Sequence, residues 1–348
     1  MLSHELNERE KVILRYIIQQ FILTASPVGS RNITKKYNVG VSAATVRNIM
    51  SELEETGFIN HPHTSAGRIP TDKGYRFYVD SLMDIEQLNN HEKILIKESL
   101  KQKEIEKEEL LKSTSKLLSS ITRQLAYVSY PNIDNATLKK IQLFVLSSTK
   151  LLVVVSIQSG LVKTITLELS FEIKERDVAK IESQLNEKLS GLSFSEIRNT
   201  FKDRFTLIED EQKPILRLFI DSLDKIFKDD RKSDNLYMSG AKDLVKQPEF
   251  DGPERFQSII ELIEDKDIII HILEKSSELA ARNVYISIGN ENEHQKMHDY
   301  SFVSKEYKMG DISGTLGIIG PKRMEYSRIV AIVNYVSQII SEILKPEN

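Results

Sequence analysis

The chain has 348 residues, 40% hydrophobic and 28% charged, with 48 Lys and Arg against 51 Asp and Glu and a net charge of −3. That length predicts two or three domains, and the near-balance of charge excludes a simple polycation, so any nucleic-acid function has to come from a local basic patch. There is no cysteine, which excludes disulfides and thiolate metal sites and fits a cytoplasmic protein. No apolar run reaches the length of a membrane span, and the start, MLSHELNEREK, is polar and acidic, unlike a secretory signal.

In chain order, residues 7–25 carry Val12, Ile13, Tyr16, Ile17 and Phe21 at helical spacing, with Asn7 as N-cap and Glu8 and Glu10 in the first turn. Ser26-Pro27 ends this helix. A second helix is predicted over SRNITKKY, capped by Ser30, with Ile33 and Tyr37 facing inward. After the turn Asn-Val-Gly-Val, Ser42 caps a third helix whose Val46, Ile49, Met50 and Leu53 form one buried stripe and which Gly57 terminates. The opposite face carries Ala44, Arg47, Asn48 and Ser51, with Thr45 at its flank. An ordinary solvated face would hold more Glu and Lys, whereas these short side chains suit close approach to base edges in a major groove.

The charge pattern agrees. Val28 to Ser51 holds four basic residues (Arg31, Lys35, Lys36, Arg47) and no acidic one. Helix, helix, short glycine turn and small-residue helix read as helix-turn-helix rather than as a hairpin in an unrelated bundle. Phe58-Ile59-Asn60 and Arg68-Ile69-Pro70 are then two strands of a wing, joined by HPHTSAG. Thr71 caps a further helix with Tyr75, Tyr78, Val79 and Leu82 on one face. Phe58 to Thr71 contains no acid, and Arg68, Lys73 and Arg76 lie in position for backbone phosphate or the minor groove. A serine-nucleophile reading of Ser65 and His63 lacks both a positioned base and a Gly-x-Ser-x-Gly elbow, so the chain is not read as an enzyme. Gly74 inside a helix costs about 1 kcal/mol against alanine, which predicts a close backbone approach there, to DNA or to the third helix.

The stretch SPVGSRNITKKYNVGVSAATVRNIMSELEETGFINHPHTSAGRIPTDKGYRFYVDSLM resembles the DNA-binding domain of HrcA, the heat-inducible transcription repressor family of bacteria. The resemblance is carried by PVGSR, S-x-A-T-V-R-N and HTSAGR-x-P-T-x-K-G-Y-R-x-Y-V-D, over roughly residues 26 to 83. Ile49 departs from it, since many relatives carry an acidic residue there. GTLGIIGPKRMEYSRIVAIVNYVSQIISEIL resembles the family's closing strand, turn and last helix.

Residues 86–128 read as one or two long polar helices, with KQKEIEKEELLK either a solvated helix or a linker that packs on a partner subunit. KIQLFVLS, KLLVVVSIQ and LVKTITLEL then read as strands, Lys174 to about Leu273 as helices, and NVYISIG, YSFVSKEYK and GTLGIIG as strands before a final helix. Strands split by helices suggest one α+β domain interrupted by another. GTLGIIG lacks the Gly-Lys-Ser/Thr of a phosphate loop, and His294 and His298 in EHQKMHD lack the glutamate and third ligand of a two-histidine metal face, so no cofactor or metal is expected.

The predicted architecture is multidomain α+β, with a winged helix-turn-helix over 1–85, and linker helices with the first part of a second domain over 86–169. An insertion follows over 170–252, and the second domain resumes over 253–348. The resemblance implies that the second domain is GAF-like and that the insertion dimerises. It also implies repression of chaperone operons, including those of GroEL and DnaK, with GroEL helping the repressor reach its active form. The expected partners are a second copy of the chain, inverted-repeat duplex DNA and GroEL, with no membrane. Thr45, Arg47, Asn48 and Ser51 are assigned to the major groove and Ala44 to a thymine methyl. Arg31, Ser42, His63, Ser65, Arg68, Lys73 and Arg76 are assigned mostly to phosphates. The alternatives are a regulator switched by a small metabolite in the GAF-like domain, or an enzyme or RNA-binding adaptor that uses the winged helix to dock.

Overall fold

The computed structural model describes residues 6–62, 67–101, 106–170, 175–205, 213–228, 236–279 and 283–345. The chain forms two compact units. The first comprises Met1–Val128, Tyr237–Lys305 and Leu316–Ser337, and the second Ser129–Leu236, Glu306–Thr315 and Gln338–Asn348.

In the first unit, α1 (Glu8–Thr24) opens with a capping box. Asn7 Oδ1 accepts from the Arg9 and Glu10 amides, and the Glu10 carboxylate accepts from the Asn7 amide. Its buried stripe is Ile13, Leu14, Ile17, Ile18 and Ile22, while Val12 is 40% exposed. The inward face is therefore rotated from the one the spacing suggests. Ala25, in the left-handed region at φ 51°, ends the helix. Helix α2 (Ser30–Lys36) is capped by Gly29 rather than Ser30, which is its buried first residue. An extended glycine serves at that position with little loss against serine. Tyr37 stacks on Tyr16 at 4.0 Å and so ties α2 to α1.

Helix α3 (Ala43–Glu55) begins where the Ser42 hydroxyl accepts from the Thr45 amide, and it buries Val46, Ile49, Met50 and Leu53. Gly57, at φ 78°, turns the chain into β1 (Ile59–Asn60), which pairs antiparallel with β2 (Ile69–Pro70). Val28 and Arg68 exchange two backbone hydrogen bonds of 2.8 Å, so the segment before α2 extends the hairpin by one bridge. Thr71 caps α4 (Asp72–Phe77), which continues as one wider turn over Tyr78–Leu82. The glycine inside α4 has a steric reason. A Cβ on Gly74 would lie 2.1 Å from the Phe58 carbonyl oxygen, so the close approach is to the chain just after α3. Helices α5 (Asn90–Leu100) and α6 (Lys107–Thr122) follow. Leu110, Leu111 and Leu118 of α6 are buried, so its part of the charged run is amphipathic. The left-handed Arg123 stops α6, and the chain enters β3 (Leu125–Ser129). This strand falls within the region read as helix.

In the second unit, β4 (Leu138–Ser147), β5 (Lys150–Ile157) and β6 (Val162–Glu168) form an antiparallel sheet of their own. Alternation puts Ile141, Leu143, Val153, Val155, Ile165 and Leu167 on one buried face. Helix α7 (Glu175–Leu189) packs on it and closes the free edge of β4. Asn186 Oδ1 accepts from the Ile141 amide, and Glu182 Oε2 from the Leu143 amide, both at 2.8 Å. Helices α8 (Phe194–Arg204), α9 (Lys213–Asp221) and α10 (Leu223–Phe227) follow, with α10 packed against α8 and α9.

The chain then forms β7 (Leu236–Ser239), α11 (Ala241–Val245), α12 (Pro253–Glu264), α13 (Lys266–Leu279), β8 (Tyr285–Ile288), β9 (Tyr300–Met309), β10 (Ile312–Pro321) and α14 (Tyr326–Ile343). A five-stranded sheet runs in the order β7-β3-β10-β9-β8. The predicted strands before and after the helical region thus lie in two different sheets. GTLGIIG is a strand, and Gly317 is needed because a Cβ there would lie 2.1 Å from the Val303 carbonyl oxygen and 2.2 Å from the Tyr127 hydroxyl. Among the described residues no helix is long and apolar enough to cross a membrane.

Gly74→Ala tests the contact between α4 and the hairpin. Alanine gains about 1 kcal/mol of helix propensity, but a methyl against a backbone carbonyl that cannot rotate away costs about 1–3 kcal/mol. The expected net result is a lower midpoint in urea unfolding of the N-terminal module.

Candidate nucleic-acid interface

The N-terminal module presents the exposed face of α3. Ala44, Arg47, Asn48 and Ser51 are exposed, and Thr45 is half-buried beside them. They are held outward because Val46, Ile49, Met50 and Leu53 fix the other side of the helix in the core. Ile49 is only 8% exposed, so this position belongs to packing.

The predicted residues fall into distinct groups. Arg31, at the start of α2, and Arg47 are exposed and have no ion-pair partner among the described residues. Ser42 and Thr45 are engaged with each other. Ser42 Oγ accepts from the Thr45 amide at 3.1 Å, and the two hydroxyls are 3.0 Å apart. Ser51 donates to the Arg47 carbonyl at 3.2 Å. The side chains of Arg47 and Asn48 are therefore the long polar groups of this face without an intrahelical tie.

The residues of the hairpin and of α4 are more committed. Arg68 forms a 2.6 Å ion pair with Glu54 at the end of α3, and His61 bonds the other oxygen of the same carboxylate. Lys73 donates to the Thr56 carbonyl at 2.7 Å, which satisfies the end of α3, and lies 4.3 Å above the Phe58 ring. Arg76 donates to Glu291, to the Ile286 carbonyl at 2.8 Å and to Asp80 at 3.1 Å. The hydrogen bonds that Arg76 donates to Glu291 hold its guanidinium well above its ordinary pKa, against the opposing effect of partial burial. His63 and Ser65 lie outside the described residues.

The sequence reading missed the acids that meet this basic surface. Glu54 is only three residues beyond the acid-free stretch, and helical spacing from Ser51 could have placed it near the hairpin. Glu291 is more than two hundred residues from Arg76, and no local pattern announces it. His294 lies edge-on to His271 at 6.1 Å, and His298 Nε2 is 3.2 Å from the Asn292 carbonyl. Among the described residues no group of three or more His, Asp or Glu is placed to hold a metal ion.

The fold and this face define a multidomain α+β protein whose N-terminal helical module carries a short hairpin and an acid-free, partly unpaired polar helix face. The family model described as the HrcA protein C terminal domain matches residues 108–330. The heat-inducible transcription repressor HrcA of Chlorobium phaeobacteroides (strain BS1) is 41% identical over 352 residues, covering 99% of this chain and 100% of that protein. The same repressor of Chlorobium luteolum is 42% identical over 356 residues, covering 99% of each. A crystal structure described as that of a hypothetical protein superposes with a TM-score of 0.59 at 24% identity, over 98% of this chain and 99% of that one, and so shares the fold. The chain belongs to the HrcA family of heat-inducible transcription repressors.

Ser42→Ala separates the cap from any phosphate contact. Loss of the cap is expected to lower stability by about 1 kcal/mol, read as a smaller urea midpoint in the absence of DNA.

Proposed function

We propose that this protein represses heat-shock transcription by binding an inverted-repeat operator as a homodimer. The observation that carries the reading is the α3 face: Arg47 and Asn48 are exposed, untied and backed by a rigid apolar stripe. Arginine and asparagine are the side chains that read guanine and adenine edges bidentately. In this reading α2 and α3 are the helix-turn-helix, β1 and β2 the wing, and α3 the recognition helix. Thr45 and Ser51 join Arg47 and Asn48 in the groove, and Ala44 meets a thymine methyl. Arg31, Ser42, His63, Ser65 and Lys73 hold phosphates. Arg68 and Arg76 would have to exchange a carboxylate for a phosphate.

A dimer follows from the small number of base contacts in one module, since two modules related by a twofold axis read two half-sites. The sequence division is kept in this reading: a GAF-like domain with a dimerising insertion over 170–252. The named relatives, heat-inducible repressors of nearly the same length, support negative control of heat-shock genes. The resemblance adds GroEL as the factor that brings the repressor to its active form.

A gel-shift titration on inverted-repeat and scrambled duplexes, with and without GroEL, tests the reading. Preference for the repeat, increased by GroEL, is the expected result, and equal binding to both duplexes in both conditions would refute it. Arg47→Ala should weaken repeat binding by about 10- to 100-fold, equivalent to 1–3 kcal/mol for a lost bidentate contact, while leaving scrambled-duplex binding nearly unchanged. Arg31→Ala should weaken both alike and reduce the slope of log affinity against log salt by about one.

A further inference from the structure

The first unit holds the N-terminal module through a set of paired charges that no motif assigns. Asp72 and Arg76 stand four residues apart on α4. Asp72 Oδ1 receives a 2.8 Å ion pair from Lys322, and its Oδ2 accepts from the Asn290 amide at 3.0 Å. Arg76 is bound by Glu291 and the Ile286 carbonyl. One acid and one base on α4 thus meet one base and one acid on the β8–β10 region. Swapping the charge at any one of the four positions would leave like charges facing each other.

The receiving surface is shaped for this contact. Gly289 adopts the left-handed φ of 52°, and a Cβ on it would lie 2.3 Å from Asp72 Oδ2. The Glu291 carboxylate also accepts from the Ile288 amide at 2.9 Å, which fixes it toward Arg76. Beside this quartet, Arg323 donates to the Ile22 carbonyl near the end of α1 at 2.6 Å and pairs with Glu249 at 2.5 Å. Tyr75 and Tyr326 pack with ring centres 6.0 Å apart.

We propose that the quartet Asp72–Lys322 and Arg76–Glu291 is an autoinhibitory latch that must open for full DNA binding. The inference rests on the operator reading above. Arg76 follows Lys73 by three residues on α4, and in the operator reading a phosphate can take its guanidinium only if Glu291 gives it up. While the latch is shut, Glu291 and Asp80 also set two carboxylates around the Arg76 guanidinium, where a phosphate would have to enter. Apparent affinity then equals the intrinsic affinity multiplied by the fraction of molecules with the latch open. The polar character of the contact suits a switch, because both faces are soluble when parted.

Two experiments on the full-length chain decide it, each read by gel shift on the inverted repeat. Glu291→Gln keeps an acceptor for the Ile288 amide but removes the charge that holds Arg76. It should raise affinity about two- to fivefold, and Arg76→Ala in that background should abolish the gain. Unchanged or weaker binding by Glu291→Gln would overturn the latch. In the second experiment, Asp72→Cys is combined with Asn290→Cys, in a chain with no cysteine of its own, and the pair is bridged by oxidation or a short bismaleimide. Bridging should lower affinity at least about tenfold, with release on reduction of the oxidised form. Equal binding by bridged and unbridged protein would refute the latch and leave the operator reading intact. Failure of the unbridged protein to prefer the repeat would refute the operator reading itself, and with it the latch.

Discussion

The N-terminal module turns on the backbone at Phe58. Its amide donates to the Leu53 carbonyl and ends α3, and its carbonyl accepts from the Thr71 amide and hydroxyl, each at 3.1 Å, where α4 begins. The same carbonyl occupies the space that any side chain at position 74 would need. Its ring meets Phe77 edge-on at 5.3 Å and carries the Lys73 ammonium on its face. One residue therefore joins the exposed helix, the hairpin and the closing helix. The outward aim of Arg47 and Asn48 depends on that junction, because α3 cannot roll without moving β1 and α4. Precise aim needs this kind of rigid backing, since groups on a loose helix would lose their orientation.

Much of this was legible in the sequence, for local reasons. Asn7, Ser42 and Thr71 announce helix starts because a short side-chain acceptor followed by a helical run has few other uses. The stripe Val46, Ile49, Met50 and Leu53 repeats at helical spacing and is buried. Gly57 at positive φ marks a turn that other residues adopt with strain. Strands β5 and β6 alternate cleanly, and β4 does so from Ile141 to Phe144 between two register shifts, because one face of their sheet is packed and the other is not.

What the sequence hid is equally physical. Most of LAYVS lies within the span 86–128 that reads as helix, and no glycine or proline separates it from α6. The stop is Arg123, a non-glycine residue in left-handed geometry, which no propensity rule flags. As a central strand between β7 and β10 it is buried on both faces, so it lacks the alternation that reveals a strand. The separation of the two sheets was hidden for a related reason. Strand character fixes which residues are extended, while partner choice is set by long-range packing that the local pattern does not contain.

Charge counting in a window has the same blind spot. Phe58 to Thr71 is acid-free in sequence, yet Arg68 faces Glu54, and the nearby Arg76 faces Glu291 from the far end of the chain. The hairpin is thus less positive in the folded protein than its sequence implies, and the basic residues without an ion-pair partner among the described residues include Arg31, Lys35, Lys36, Arg47 and Lys73. Such half-exposed pairs contribute about 0–1 kcal/mol each. A phosphate offers Arg68 or Arg76 a comparable partner, so exchange of one anion for another is nearly neutral for the arginine itself. The balance then rests on what the released acid loses: Glu54 keeps His61, and Glu291 keeps the Ile288 amide. Both acids retain a hydrogen bond after exchange, which removes the largest penalty that would otherwise oppose it.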